Sequence, residues 1–165
     1  NLASSTTERA GLDLDWQVHI VGDGPYKAQL EQEAQGSKIP IHFWGWLDRD
    51  DAKLKELYET SRIFIFPSES ENFPTVLLEA MSAGLAIITS TAGGCPEVVG
   101  DTALLVEPKN SNAIRESLLK LIENPEYRNS LQTAALERVK EFFWPSITQK
   151  YLACFEKVIH EKSKI

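Results

Sequence analysis

Two carboxylates eight positions apart, Glu71 and Glu79, stand on either side of a helix start in the run PSESENFPTVLLEAMSAG, residues 67–84. Proline suits the first helical position, where its missing N–H would have had no partner in any case. Pro74 and Thr75 therefore mark the start, with Asn72 and Phe73 just before it. The first N–H groups of a helix have no partner inside it and carry the positive end of its dipole. Such a start receives a phosphate without needing a basic side chain. Glu79 lies about 7–8 Å further along the axis, at ~1.5 Å per residue. A carboxylate accepts hydrogen bonds from hydroxyls, worth roughly 1.5–3 kcal/mol each. A phosphate between two sets of hydroxyls describes a nucleotide-sugar, with Glu79 on the ribose and Glu71 on the sugar. A buried helix flanked by two solvated acids fits the same spacing, and a two-residue pattern recurs by chance.

The surrounding chain alternates short apolar runs with helical patterns. Runs at 17–22, 41–45, 63–68, 86–91 and 103–108 are rich in β-branched or aromatic residues and read as strands. Three of them are almost continuously apolar, as parallel strands covered on both faces must be. Helices are predicted over 26–35, 50–60, 74–83, 112–123 and 125 to about 142, with a last amphipathic helix after Trp144-Pro145. Asp50 and Asp51 are expected in the first turn of the second of these, where they suit the dipole. The 74–83 helix is apolar on most sides and should be buried. Asn124-Pro125 stops the 112–123 helix. Short links between strand and helix imply an α/β fold, a doubly wound, Rossmann-like parallel sheet of about five strands with helices on both faces. Ligands of such sheets bind beyond the carboxyl ends of the strands, which is where the candidate residues fall.

Composition narrows the partners. With 165 residues and 42% hydrophobic content the chain can bury the core of a single domain, and no internal boundary stands out. A formal charge of −7 gives no general attraction to phosphate backbones, so nucleic acid is not the expected partner. No apolar run reaches the length of a membrane span, and the start carries no signal-peptide pattern. Cys95 and Cys154 are too few for a disulfide framework and lack metal-ligand spacing, so they read as reduced thiols in a cytoplasmic protein.

Four segments together resemble one family. Besides Glu71 and Glu79 with seven residues between them, these are Ile20-Val21-Gly22-Asp23-Gly24-Pro25, Phe43-Trp44-Gly45-Trp46-Leu47, and Thr91-Ala92-Gly93-Gly94-Cys95-Pro96-Glu97-Val98-Val99. Each ends a predicted strand, and together they span about residues 16–107. In this order they resemble the retaining glycosyltransferases of the GT-B fold, family 4, the group 1 type. The resemblance implies one half of a GT-B enzyme, the domain that binds a nucleoside diphosphate sugar. It implies Glu71 as the catalytic residue, facing sugar hydroxyls and the positive charge that forms near the anomeric carbon. It implies donor contacts from Gly22, Gly24, Trp46, Leu47, Asn72, Phe73, Pro74, Thr75, Glu79, Gly93 and Gly94, with Glu79 on the ribose and Trp46 and Leu47 near the base. No cofactor and no metal are expected. The family retains anomeric configuration, commonly in polysaccharide or glycoconjugate synthesis.

The same resemblance sets out what is lacking. The acceptor-binding domain is not in these 165 residues, nor is the first strand of the donor domain with its Gly-Arg…Lys loop. Residues 1–15 hold one basic residue, Arg9, and read as the tail of a first helix. The chain alone is therefore expected to be inactive, and any peripheral membrane contact falls to the absent domain. Alternatives are an epimerase or phosphorylase on the same fold, or a non-catalytic nucleotide-binding module.

Other reactive-looking residues have plainer readings. In Gly22-Asp23-Gly24 the third glycine of a dinucleotide fingerprint falls on Lys27. Cys95 has no histidine near it in sequence to activate it. His19 and His42 lie inside strands and read as packed core, His160 as solvated, and Glu97 as a helix-start carboxylate. Trp16, Trp44, Trp46 and Trp144 read as core or rim.

Overall fold

The computed structural model describes residues 16–162. The expected helix tail in residues 1–15 lies outside the described residues. The chain divides into two compact units between Ser61 and Arg62.

The first unit runs β1 (Val18–Val21), α1 (Lys27–Glu33), β2 (Ile41–Gly45) and α2 (Ala52–Thr60). Its strands pair in parallel, with His19 opposite His42 and Ile20 opposite Phe43. Asp50 and Asp51 do not enter the first turn of α2. Asp51 stands at the N-cap instead, where its carboxylate accepts from the Lys53 N–H at 2.7 Å. An N-cap carboxylate satisfies an orphan donor directly, a stronger use of the charge than a dipole contact one turn in. Among the described residues of this unit, Leu57 on α2 is the buried apolar side chain.

The second unit runs β3 (Ile63–Phe66), α3 (Thr75–Ser82), β4 (Ala86–Ser90), α4 (Cys95–Val99), β5 (Ala103–Val106), α5 (Ser111–Glu123) and α6 (Pro125–Val139). A 3₁₀ turn (Lys140–Phe142) and α7 (Trp144–Lys162) follow. The parallel sheet has the order β3-β4-β5. Central β4 is buried along its whole length, which is why its sequence, AIITS, shows no alternation. Its two polar side chains are satisfied within the fold. The Thr89 hydroxyl donates to the Phe66 carbonyl at 2.7 Å, and the Ser90 oxygen accepts from the Ala92 N–H at 3.3 Å.

The five parallel strands are thus shared between a two-stranded and a three-stranded sheet, where the sequence implied one run. Apolar periodicity says that a strand is buried and leaves open which neighbour it pairs with. The strands also stop one or two residues short of several predicted ends: 63–68 contracts to Ile63–Phe66 and 103–108 to Ala103–Val106. The trimmed residues are loop, and that loop carries the candidate site.

The core sits on β4. Ala86 and Ile88 pack with Val106, Leu121 and Leu131, with Ile114 and Leu118 against them. Helix α3 is buried as expected, with Leu77, Ala80 and Met81 all inaccessible. Asn124 joins α5 to α6 and caps the second by accepting from the Tyr127 N–H at 2.9 Å. Asn110 caps α5 in the same way, from the Ala113 N–H at 3.0 Å. Beyond the break, α7 leaves Tyr151, Leu152, Phe155, Val158 and Ile159 exposed. Among the described residues no helix is long and apolar enough to cross a membrane.

Candidate functional site

In the second unit, the loop after β3 and the turn after β4 meet backbone to backbone. The Gly94 N–H donates to the Glu71 carbonyl at 2.7 Å. Gly93 has φ 57°, and a Cβ there would lie 2.9 Å from the Glu71 nitrogen. A Cβ on Gly94 would fall on the Asn72 carbonyl. Glycines are needed at both positions because any side chain would push the turn off the loop. So Glu71, Asn72, Gly93 and Gly94, far apart in sequence, are brought into direct contact at the carboxyl end of the β3-β4-β5 sheet.

The Glu71 side chain is half-buried and accepts from the Ser68 hydroxyl at 3.1 Å. That bond turns the carboxylate toward its own loop while leaving its other oxygen for a further donor. Glu79 lies on the second turn of α3 and is half-buried. The helix itself begins one residue later than predicted. Pro74 is buried, extended at φ −74° and ψ 99°, and stands at the N-cap rather than the first helical position. Its carbonyl accepts from the Leu77 N–H at 3.1 Å, and it has no side-chain oxygen to cap with. The first N–H groups of α3, starting at Thr75, therefore gain nothing from a capping side chain, which is the condition for receiving an anion.

Phe73 is 46% exposed and its ring lies 5.9 Å from that of Phe142, tilted by 57°. Glu69 pairs with Lys109 at 2.9 Å, tying the same loop to the loop after β5. Sequence reasoning placed Ser68 in this run without its bond to Glu71, and it missed Lys109 and Phe142 as parts of this region. The spacing of Ser68 three residues before Glu71 was a usable local signal. Lys109 and Phe142 arrive from distant segments, and nothing local announces them.

In the first unit the remaining candidates lie at the carboxyl ends of β1 and β2. The Gly22 N–H donates to the Gly45 carbonyl at 2.7 Å, and the Gly24 N–H to the Asp23 carboxylate at 2.8 Å. Trp46 is 74% exposed and donates its indole N–H to Asp48 at 3.1 Å. Leu47 beside it is half-buried.

The histidines of this unit are not core. His19 and His42 stack on each other, centroids 5.2 Å apart, on the face of β1 and β2 that α2 overlies. With Trp44, Lys53 and Glu56 they line a cleft of about 340 Å³. Desolvation, then the neighbouring His42 and Lys53, push the His19 pKa below its ordinary 6.5. Neutral His19 accepts from the Trp44 indole N–H at 3.1 Å. Trp144 and Trp46 are rim residues, and Cys95 is a buried free thiol, as its plain reading required.

Residues 3–138 match the family described as glycosyl transferases group 1. The chain belongs to the group 1 glycosyl transferases. Among curated members it is 34% identical to a sulfoquinovosyl transferase of Arabidopsis thaliana, over 81% of this chain and 26% of that protein. It is 31% identical to the O-antigen chain mannosyltransferase B of Escherichia coli, over 70% of this chain and 30% of that one. A solved C-terminal domain of a group 1 family glycosyl transferase from Francisella tularensis is 29% identical, with a TM-score of 0.70. That match covers 84% of this chain and 74% of the solved domain. An Anabaena protein solved in complex with UDP shares the fold at a TM-score of 0.74 and 21% identity, over 90% of this chain and 43% of that one. The chain therefore spans about a fifth to two-fifths of the length of the curated relatives it matches, and most of the length of the solved C-terminal domain.

Proposed function

We propose that the chain is the donor-binding domain of a retaining glycosyltransferase that uses a nucleoside diphosphate sugar. The observation that carries this reading is the contact of the Glu71–Asn72 backbone with the Gly93–Gly94 turn, next to a helix start with no capping side chain. A diphosphate lying there meets backbone N–H groups from the α3 start and the glycine turn. Glu79, further along α3, accepts from the ribose hydroxyls. Glu71 accepts from the sugar and stabilises the positive charge that develops at the anomeric carbon. In the first unit, Gly22, Gly24, Trp46 and Leu47 are candidate donor contacts on the family resemblance, with Trp46 and Leu47 for the base. Family membership and the UDP complex of the Anabaena protein support a nucleotide-sugar donor. The acceptor is bound by a further domain, and the enzyme works by orientation and charge stabilisation. Free Cys95 and Cys154 suit a cytoplasmic setting, where thiols stay reduced.

The test is sugar transfer by a protein that joins this chain to its acceptor-binding half, with the product anomer read by proton NMR. Retained configuration and a kcat lowered about 100-fold or more by Glu71→Gln are expected. An inverted product, or full turnover by Glu71→Gln, contradicts the reading.

A further inference from the structure

Both walls of the Glu71–Gly94 contact are also held from behind by the end of α6 and the 3₁₀ turn after it. Arg138, in the last turn of α6, donates from Nε to the Val98 carbonyl and from a terminal nitrogen to the Glu97 carbonyl, each at 2.7 Å. Those carbonyls close the C-terminal end of α4, the helix that begins directly after Gly94. A planar cation on the last carbonyls of a helix is favoured by charge and by geometry. Gly100 makes the approach possible: a Cβ there would lie 2.8 Å from the guanidinium carbon. The same guanidinium stands 5.7 Å from the centre of the Phe142 ring, and Phe142 in turn packs on Phe73. One continuous set of contacts therefore runs from the carbonyls of α4, through Arg138 and Phe142, to the exposed ring in the middle of the ENFP segment.

We infer that Arg138 and Phe142 are positioning residues for the loop of Glu71–Phe73 and the Gly93–Gly94 turn. The inference rests on the donor-site reading above. Neither residue is among the donor contacts named above. Ordering a backbone costs conformational entropy for each residue fixed, and a binding loop ordered in advance does not meet that cost when ligand arrives. Phe73 is the handle: pinned through Phe142, it fixes the N–H groups on either side of it, while Arg138 fixes the helix that carries the glycine turn.

The experiment pairs calorimetric titration of UDP, GDP and ADP with amide hydrogen exchange, on the wild-type chain and on Phe73→Ala, Phe142→Ala, Phe142→Tyr, Arg138→Lys and the double variant Phe73→Ala/Phe142→Ala. Phe142→Ala is expected to weaken the nucleotide that wild type binds by about three- to tenfold, and Phe142→Tyr to restore it. The double variant should bind no worse than Phe73→Ala alone, because the two rings act as one contact. Arg138→Lys, which keeps charge and loses the fork, should speed exchange of the Gly94 amide. Wild-type affinity in Phe142→Ala, or losses that simply add in the double variant, overturn the inference and leave the donor site standing. If wild type binds none of the nucleotides, the donor reading fails, and exchange alone decides positioning. Faster exchange at Gly94 and residues 71–73 in Phe142→Ala supports it, and unchanged exchange overturns it.

Discussion

Gly94 concentrates two demands on one residue. Its N–H must reach the Glu71 carbonyl, and its missing Cβ leaves room for the Asn72 carbonyl. Gly94→Ala is therefore expected to cost about 1–3 kcal/mol by forcing the turn off the loop, read as a lower urea midpoint. An unchanged midpoint would mean that the two segments are not held together as described. At this scale much of the geometry of the candidate site was legible. Glu71, Asn72, Glu79 and the paired glycines stand in short runs whose types follow from a helix start and a tight turn. Pro74 was misplaced by one residue, because proline is tolerated both at the N-cap and just inside it. The contacts of Glu69 with Lys109 and of Phe73 with Phe142 join segments 40 or more positions apart, and no local pattern encodes them.

Elements were set by periodicity and punctuation, and the structure keeps both. Asn124 ends α5 and starts α6, so Asn124→Ala should cost about 1 kcal/mol through the lost cap. Leu121→Ala, at the centre of the packing on β4, should cost about 2–5 kcal/mol. Thermal or chemical unfolding separates the two by size. Strand pairing was less legible, because an apolar run reports burial alone. That is also why His19 and His42 were read as core, when they form one polar face of β1 and β2 beneath α2. Their pH response has a definite sign. The folded state lowers the His19 pKa, so it favours the neutral ring that accepts from Trp44. The unfolded chain takes up the proton first. Stability is full above about the ordinary value of 6.5 and falls as the pH drops through it toward the folded pKa. Urea midpoints between pH 7.5 and 5 should show this fall, and His19→Gln should flatten it. Equal slopes in the two proteins would count against the effect.

Across the whole molecule, the two units each place candidate residues at the carboxyl ends of parallel strands, as α/β ligand sites require. Family membership rests on residues 3–138, while the activity belongs to a protein of which this chain matches only a part. Tyr151, Leu152, Phe155, Val158 and Ile159 form an exposed apolar stripe on α7. On the reading proposed here, this chain holds the nucleotide part of a sugar donor through Glu79 and the α3 start. Isothermal titration of the chain with UDP, GDP and ADP, beside Glu79→Ala, tests it most directly. One of the three is expected to bind, and Glu79→Ala to weaken it by about ten- to a hundredfold, the loss of hydrogen bonds to a charged acceptor. Equal affinity in wild type and variant, or no binding of any of the three, would contradict it.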